Sequence, residues 1–196
     1  MICIVLCQYN IDFRVICFNR RNFTQIIVYK KHVFNTNLPK ATAEVLDRYD
    51  VPHEYIEIGL TETTTDYEFN EIKRIAAGFH ELGIRTAVDD FGVGYTSLNL
   101  IKDIEWDVLK IDRSFLPDEK DEDTGIRKIM YSSVVNMSRQ LGLTVVSEGV
   151  ETIGQLNVMR DVGCDIAQGF YFDRPLPVET FEERLKEGRY EVPEVK

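Results

Sequence analysis

From residue 38 the chain switches repeatedly between a helical and a strand-like hydrophobic period, and that alternation constrains the fold more than any other feature. Leu38 to Tyr49 reads as a helix with Leu38, Ala41, Val45 and Tyr49 on one side. Val51-Pro52 stops it, because a residue before proline is pushed out of the helical region. Tyr55 to Leu60 reads as a strand. Thr65 and Glu68 form a capping box, opening a helix with Phe69, Ile72, Ile75, Ala76, Phe79 and Leu82 at helical spacing, closed by Gly83. Arg85 to Asp89 is the next strand, followed by a Gly-rich loop from Phe91 to Gly94 and a short helix near Ser97 to Lys102. After the strand Asp107 to Ile111, an acidic loop, Pro117 to Asp123, leads to a long helix whose expected apolar stripe is Ile126, Met130, Val134, Met137 and Leu141. Thr144 to Glu148 is a strand. Thr152 and Gln155 form a second capping box, for a helix ending near Val162-Gly163. Cys164 to Gln168 is a strand and Val178 to Lys186 a last helix. With a further strand at Gln25 to Tyr29, the pattern means parallel strands joined by crossover helices.

The polar residues of these strands gather at one end. Asp89 and Asp90 close one strand, Lys110 and Asp112 the next, Glu148 the one after and Gln168 the last. In a (β/α) barrel such ends converge on the active-site face. In an open doubly wound sheet they line the crevice. Adjacent carboxylates such as Asp89-Asp90, with Glu148 from another strand, suit hard divalent cations with oxygen ligands. Paired ions of that kind activate water and stabilise the leaving oxygen of a phosphodiester. A lysine beside them neutralises phosphate charge.

Composition narrows the class. The 196 residues allow one domain or two very small ones. A net charge of -10 and a pI of 4.9 argue against a partner such as a nucleic-acid duplex, whose binders show a basic face. No apolar run nears the ~18 residues of a membrane span, and Met1 to Cys7 lacks the flanks of a signal peptide. Cys3, Cys7, Cys17 and Cys164 show neither zinc-site nor disulfide spacing, which fits a cytoplasmic protein. The charge is uneven. Residues 1–40 hold six basic side chains against Asp12 alone, a net of +5, which leaves -15 for residues 41–196.

Four segments then resemble one family, in its order and at similar spacing. Asp89-Asp90-Phe91-Gly92-Val93-Gly94-Tyr95-Thr96-Ser97 resembles the DDFGTGYSS segment of EAL-domain cyclic di-GMP phosphodiesterases. Lys110-Ile111-Asp112-Arg113-Ser114-Phe115 resembles their KIDRSF, Glu148 to Thr152 their EGVET, and Gln168 to Leu176 their QGY-x-F-x-RPL ending. The resemblance covers residues 38–187, with an atypical basic segment before it (1–37) and a tail after it (188–196). It implies a TIM-type (β/α) barrel that hydrolyses cyclic di-GMP to pGpG with Mg²⁺ or Mn²⁺, through in-line attack by a metal-bound water. By matching motif, Asp89 and Asp90 would be metal ligands, Asp89 bridging two ions. Lys110 would orient water or contact phosphate, and Glu148 would be a metal ligand or general base. Glu151 would support water, Gln168 and Asp112 would serve the substrate, and Glu62 would anchor the Asp90–Ser97 loop. A homodimer or another signalling protein are the partners expected beside the dinucleotide.

The departures matter as much. Nothing in residues 1–40 matches the family's Glu-x-Leu. The family's Asn ligand falls on about Ile27, the first Glu of its E-L-T-E segment on Gly59, and the loop threonine on Val93. Three of four ligands for one ion are thereby missing, leaving Asp89. A TIM barrel typically takes about 250 residues, so the first strands are expected to be missing or replaced, and the barrel incomplete. Residues 1–40 are read as a truncated or frame-altered gene start. The expected function is a catalytically impaired EAL module that binds or docks within cyclic di-GMP signalling. The alternatives are a non-functional remnant and an active phosphodiesterase.

Overall fold

The computed structural model describes residues 16–18, 23–28, 37–61, 66–93, 98–117, 124–174 and 176–187. The chain divides into two compact units, Met1–Lys110 and Ile111–Lys196.

In the first unit, β1 (Ile16–Phe18) pairs antiparallel with β2 (Phe23–Val28). This antiparallel start is the first difference from the all-parallel expectation. From β2 on the strands run parallel. β3 (Ile56–Thr61) sets Gly59 beside Ile27 of β2, and β4 (Arg85–Phe91) sets Asp89 beside Thr61 of β3. β5 (Val108–Ile111) lies next to β4, and its last residue opens the second unit. The crossovers are α1 (Leu38–Arg48), α2 (Asp66–Glu81) and the short α3 (Leu98–Asp103). Ile58, Leu60, Ile72, Ile75, Phe79, Val88 and Leu109 are buried between sheet and helices, as the apolar stripe of α2 requires.

Helix α1 buries a different face from the one expected. Leu38, Thr42, Ala43 and Leu46 are inside, whereas Ala41 and Val45 are half-buried and Tyr49 is exposed. Thr42 tolerates burial because its hydroxyl donates to the Leu38 carbonyl at 2.9 Å. At the start of β4 a side chain does the work of a turn. Asp107 Oδ2 accepts the Thr86 N–H at 2.8 Å and lies 3.0 Å from His80 Nε2, while the Asp107 N–H donates to the Thr86 carbonyl at 3.0 Å. The end of α2 and the starts of β4 and β5 are thereby pinned together.

In the second unit a 3-10 turn (Arg113–Phe115) leads into α4 (Thr124–Gln140), β6 (Thr144–Ser147), α5 (Ile153–Val162), β7 (Ile166–Ala167) and α6 (Val178–Glu187). β7 is parallel to β6, with Ser147 beside Ala167. Asp165 repeats the device of Asp107, its Oδ2 accepting the Val145 N–H at 2.9 Å. The α5 capping box is present in both directions, and Gly163 ends that helix with a φ of 74°. The α4 stripe is corrected. Ile126, Met130 and Leu141 are exposed, and Tyr131, Val135 and Ser138 are buried instead. Tyr131 reaches Ser147 Oγ at 2.6 Å and Ser138 donates to the Val134 carbonyl at 2.8 Å, so polar letters occupy the core-facing side.

Candidate functional site

The expected residues are shared between the units, and each unit shows how its own part is held. In the first, β3 and β4 alternate faces. Glu57, Gly59 and Thr61 therefore share a face with their register partners Arg85, Ala87 and Asp89. Asp89 is 2% exposed and Lys110 1% exposed. Lys110 Nζ donates to Asp89 Oδ1 at 2.5 Å. Two opposite charges buried this deeply persist only as a pair, since either alone would face the full desolvation cost. Further back on this face, burial pushes the Glu57 carboxyl above its ordinary range. Arg85 and Lys110 oppose that rise, and Asp89 and Asp107 add to it.

Asp90 departs from strand geometry. Its φ is 55°, in the left-handed region that aspartate visits more readily than most residues. Its carbonyl accepts the Val93 N–H at 3.2 Å, and Gly92 follows at φ 106°. This turn carries the chain out of β4 into the loop, leaving Val93 exposed. The loop anchor Glu62, the capping residue Thr65 and residues 94–97 lie outside the described residues.

The second unit holds Asp112, Glu148, Glu151 and Gln168. Asp112 caps the 3-10 turn, accepting the Ser114 N–H at 2.8 Å. Glu148 follows the end of β6, and its N–H donates to the Ile111 carbonyl at 2.9 Å. Gln168 follows β7. Its N–H donates to the Ser147 carbonyl at 2.8 Å and its carbonyl accepts the Val150 N–H at 2.9 Å. Glu151 pairs with Arg113 at 2.5 Å. Sequence reasoning gave Arg113 no role, although it is part of the segment that resembles KIDRSF, because its partner Glu151 is 38 residues away along the chain.

The donor set of the first unit decides how well a metal fits there. Ile27 and Gly59 are register partners on adjacent strands, two residues before the Thr61–Asp89 pair. Neither residue type carries a side-chain oxygen. Asp89 is already paired with an ammonium. A hard divalent ion takes about six oxygen donors, so the positions at Ile27 and Gly59 do not fit the ion that the resemblance assigns to them. No helix among the described residues is long and apolar enough to cross a membrane.

Comparison with known proteins gives this geometry its family. The model of the EAL domain matches residues 22–175, and the chain belongs to the EAL-domain family, with the α/β fold of its TIM-type barrel. The chain is similar to the signaling protein YkoW of Bacillus subtilis, at 38% identity over 74% of this chain and 18% of that protein. It is also similar to the cyclic di-GMP phosphodiesterase NbdA of Pseudomonas aeruginosa, at 35% identity over 70% of this chain and 17% of that protein. Among solved structures, the manganese and cyclic di-GMP complex of Klebsiella pneumoniae BlrP1 superposes with a TM-score of 0.69. It is 27% identical and covers 77% of this chain and 38% of that one. The chain spans less than a fifth of the length of these two curated relatives.

Proposed function

We propose that this chain is an EAL module of cytoplasmic cyclic di-GMP signalling whose phosphodiesterase activity is impaired, and which binds the dinucleotide or docks a signalling partner instead of turning over. The observation that carries the reading is the pairing of Ile27 with Gly59. At the place where the family resemblance calls for an Asn and a Glu, two adjacent strands offer a hydrocarbon and a hydrogen. Losing a metal that polarises water and phosphoryl oxygen raises the barrier by several kcal/mol, or several decades in rate. The residues matching the remaining motifs, Asp90, Lys110, Glu148 and Gln168, are all present. In this reading Lys110 supplies positive charge toward phosphate, and Mg²⁺ or Mn²⁺ binds weakly.

Calorimetric titration of cyclic di-GMP, with and without Mn²⁺, followed by chromatography for pGpG, tests the proposal. Binding without product is the expected result. Product formation that Asp89→Ala abolishes would overturn the impairment. A chain that binds nothing and stays unfolded would favour a remnant. Returning both donors, with Ile27→Asn and Gly59→Glu together, is expected to produce an Mn²⁺-dependent rise in melting temperature that the unmodified chain lacks.

A further inference from the structure

We propose that Arg113 is a positioning residue, a clasp that fixes the strand-end loop Glu148–Glu151 and with it the place of Glu148. Its value to a ligand rests on the functional reading above, but the clasp itself stands on geometry within the second unit.

Arg113 leaves β5 in a 3-10 turn whose entry is set by the Asp112 side chain. Its stem lies directly on Gly149. A Cβ on Gly149 would come within 2.5 Å of Arg113 Cβ and 3.0 Å of its Cγ and Cδ. Gly149 also has a φ of 69°, so sterics and backbone both demand glycine there. Beyond the stem, the guanidinium pairs with Glu151. The Glu151 N–H in turn donates to Gln155 Oε1 at 2.8 Å, the side chain that completes the α5 capping box. One arginine thus links the turn after β5, the loop after β6 and the start of α5.

The other side of the loop is gripped by backbone alone. Val150 donates to the Gln168 carbonyl and accepts from the Tyr171 N–H, each at 2.9 Å. Gly169 lies so close to the Val150 backbone that a side chain there would collide with it. The backbone grip is insensitive to side-chain identity. The grip on Gly149 and Glu151 depends on Arg113. Its side chain is 61% exposed, so burial does not explain its placement. An exposed pair adds little to global stability while still narrowing the local conformations of the loop.

Hydrogen exchange read by mass spectrometry on the whole chain tests the clasp. In Arg113→Ala the Gly149 and Glu151 amides are expected to exchange roughly threefold faster, with the melting temperature unchanged. Arg113→Lys should restore part of the protection, since a single N–H makes the contact with Glu151. Molar salt should loosen the wild-type loop and leave Arg113→Ala unaffected, because it screens the pair. Unchanged exchange at 148–151 in Arg113→Ala would overturn the clasp. So would faster exchange throughout the second unit with a lowered melting temperature. A parallel cyclic di-GMP titration separates the two proposals. If the wild type binds, Arg113→Ala is expected to bind roughly threefold more weakly. Equal affinity with a loosened loop would overturn the loop's service to the ligand. If the wild type does not bind, the dinucleotide-binding branch of the functional reading fails, and the exchange data still decide the clasp.

Discussion

The two units bury their polar groups by opposite means. The first sinks a charged pair, Lys110 and Asp89, to the end of its strands. The second buries a neutral chain, in which Tyr131 Oη lies 2.6 Å from Ser147 Oγ and Ser147 Oγ lies 3.3 Å from Cys164 Sγ. Burial, with Cys164 beside it, pushes the Tyr131 hydroxyl above the ordinary phenol range, so it stays protonated. A buried ion pair is rarely the most stable filling for a core. Its presence at a strand end points to a site, whereas the neutral chain reads as packing. The first unit also holds Ile27 and Gly59, where the resemblance calls for an Asn and a Glu, while Glu148, Glu151 and Gln168 stand in the second unit. Within the described residues, Ile27 and Gly59 are register partners, so these two departures fall side by side on adjacent strands.

This contrast is open to direct attack. Lys110→Ala leaves Asp89 buried without its ammonium and is expected to cost about 3–5 kcal/mol, read by urea denaturation. Adding Asp89→Ala should return much of that loss, because no lone charge then remains. A non-coupled result would mean the pair is not the polar keystone of its unit. Tyr131→Phe in the second unit should cost only about 1 kcal/mol, measured the same way. A loss as large as that of Lys110→Ala would erase the distinction between charged and neutral burial.

The smallest effect concerns Glu57. Its folded pKa is raised, so its carboxylate form is disfavoured in the native state. The native state is then favoured by this group below the ordinary carboxylate range, and that advantage is lost as pH rises through the raised value. Glu57→Gln is therefore expected to gain stability over the wild type at neutral pH, with the gain shrinking as pH falls toward the ordinary carboxylate range. Parallel thermal melts across that window check the sign. A gain that grows on acidification would contradict it.

How much of this was legible in sequence follows from which groups hide their burial. The strand ends were readable because Asp89, Lys110, Glu148 and Gln168 interrupt apolar runs, and strand and helix periods differ plainly. The α2 stripe was readable because its buried residues are all apolar. The faces of α1 and α4 were misjudged because Thr42, Tyr131 and Ser138 point hydroxyls at internal acceptors and go inside. A hydropathy count treats those letters as surface. The antiparallel β1 was missed because Ile16 to Phe18 is three residues long, too short to show a period. Arg113, Gly149 and Glu151 all lie in motif segments, but their contact was not legible, because Gly149's need for a bare backbone is visible only once Arg113 is seen against it.

Asp107 and Asp165 sit at the far ends of the strands from the proposed site, yet each ties the second amide of the neighbouring strand to its own carboxylate. Parallel strands have no hairpin to count residues for them. A slip of one residue would turn Asp89 and Lys110 to the opposite face of the sheet. Each aspartate acts as a zero mark on a ruler within its own unit, so the register at a strand's tip is set at the opposite end.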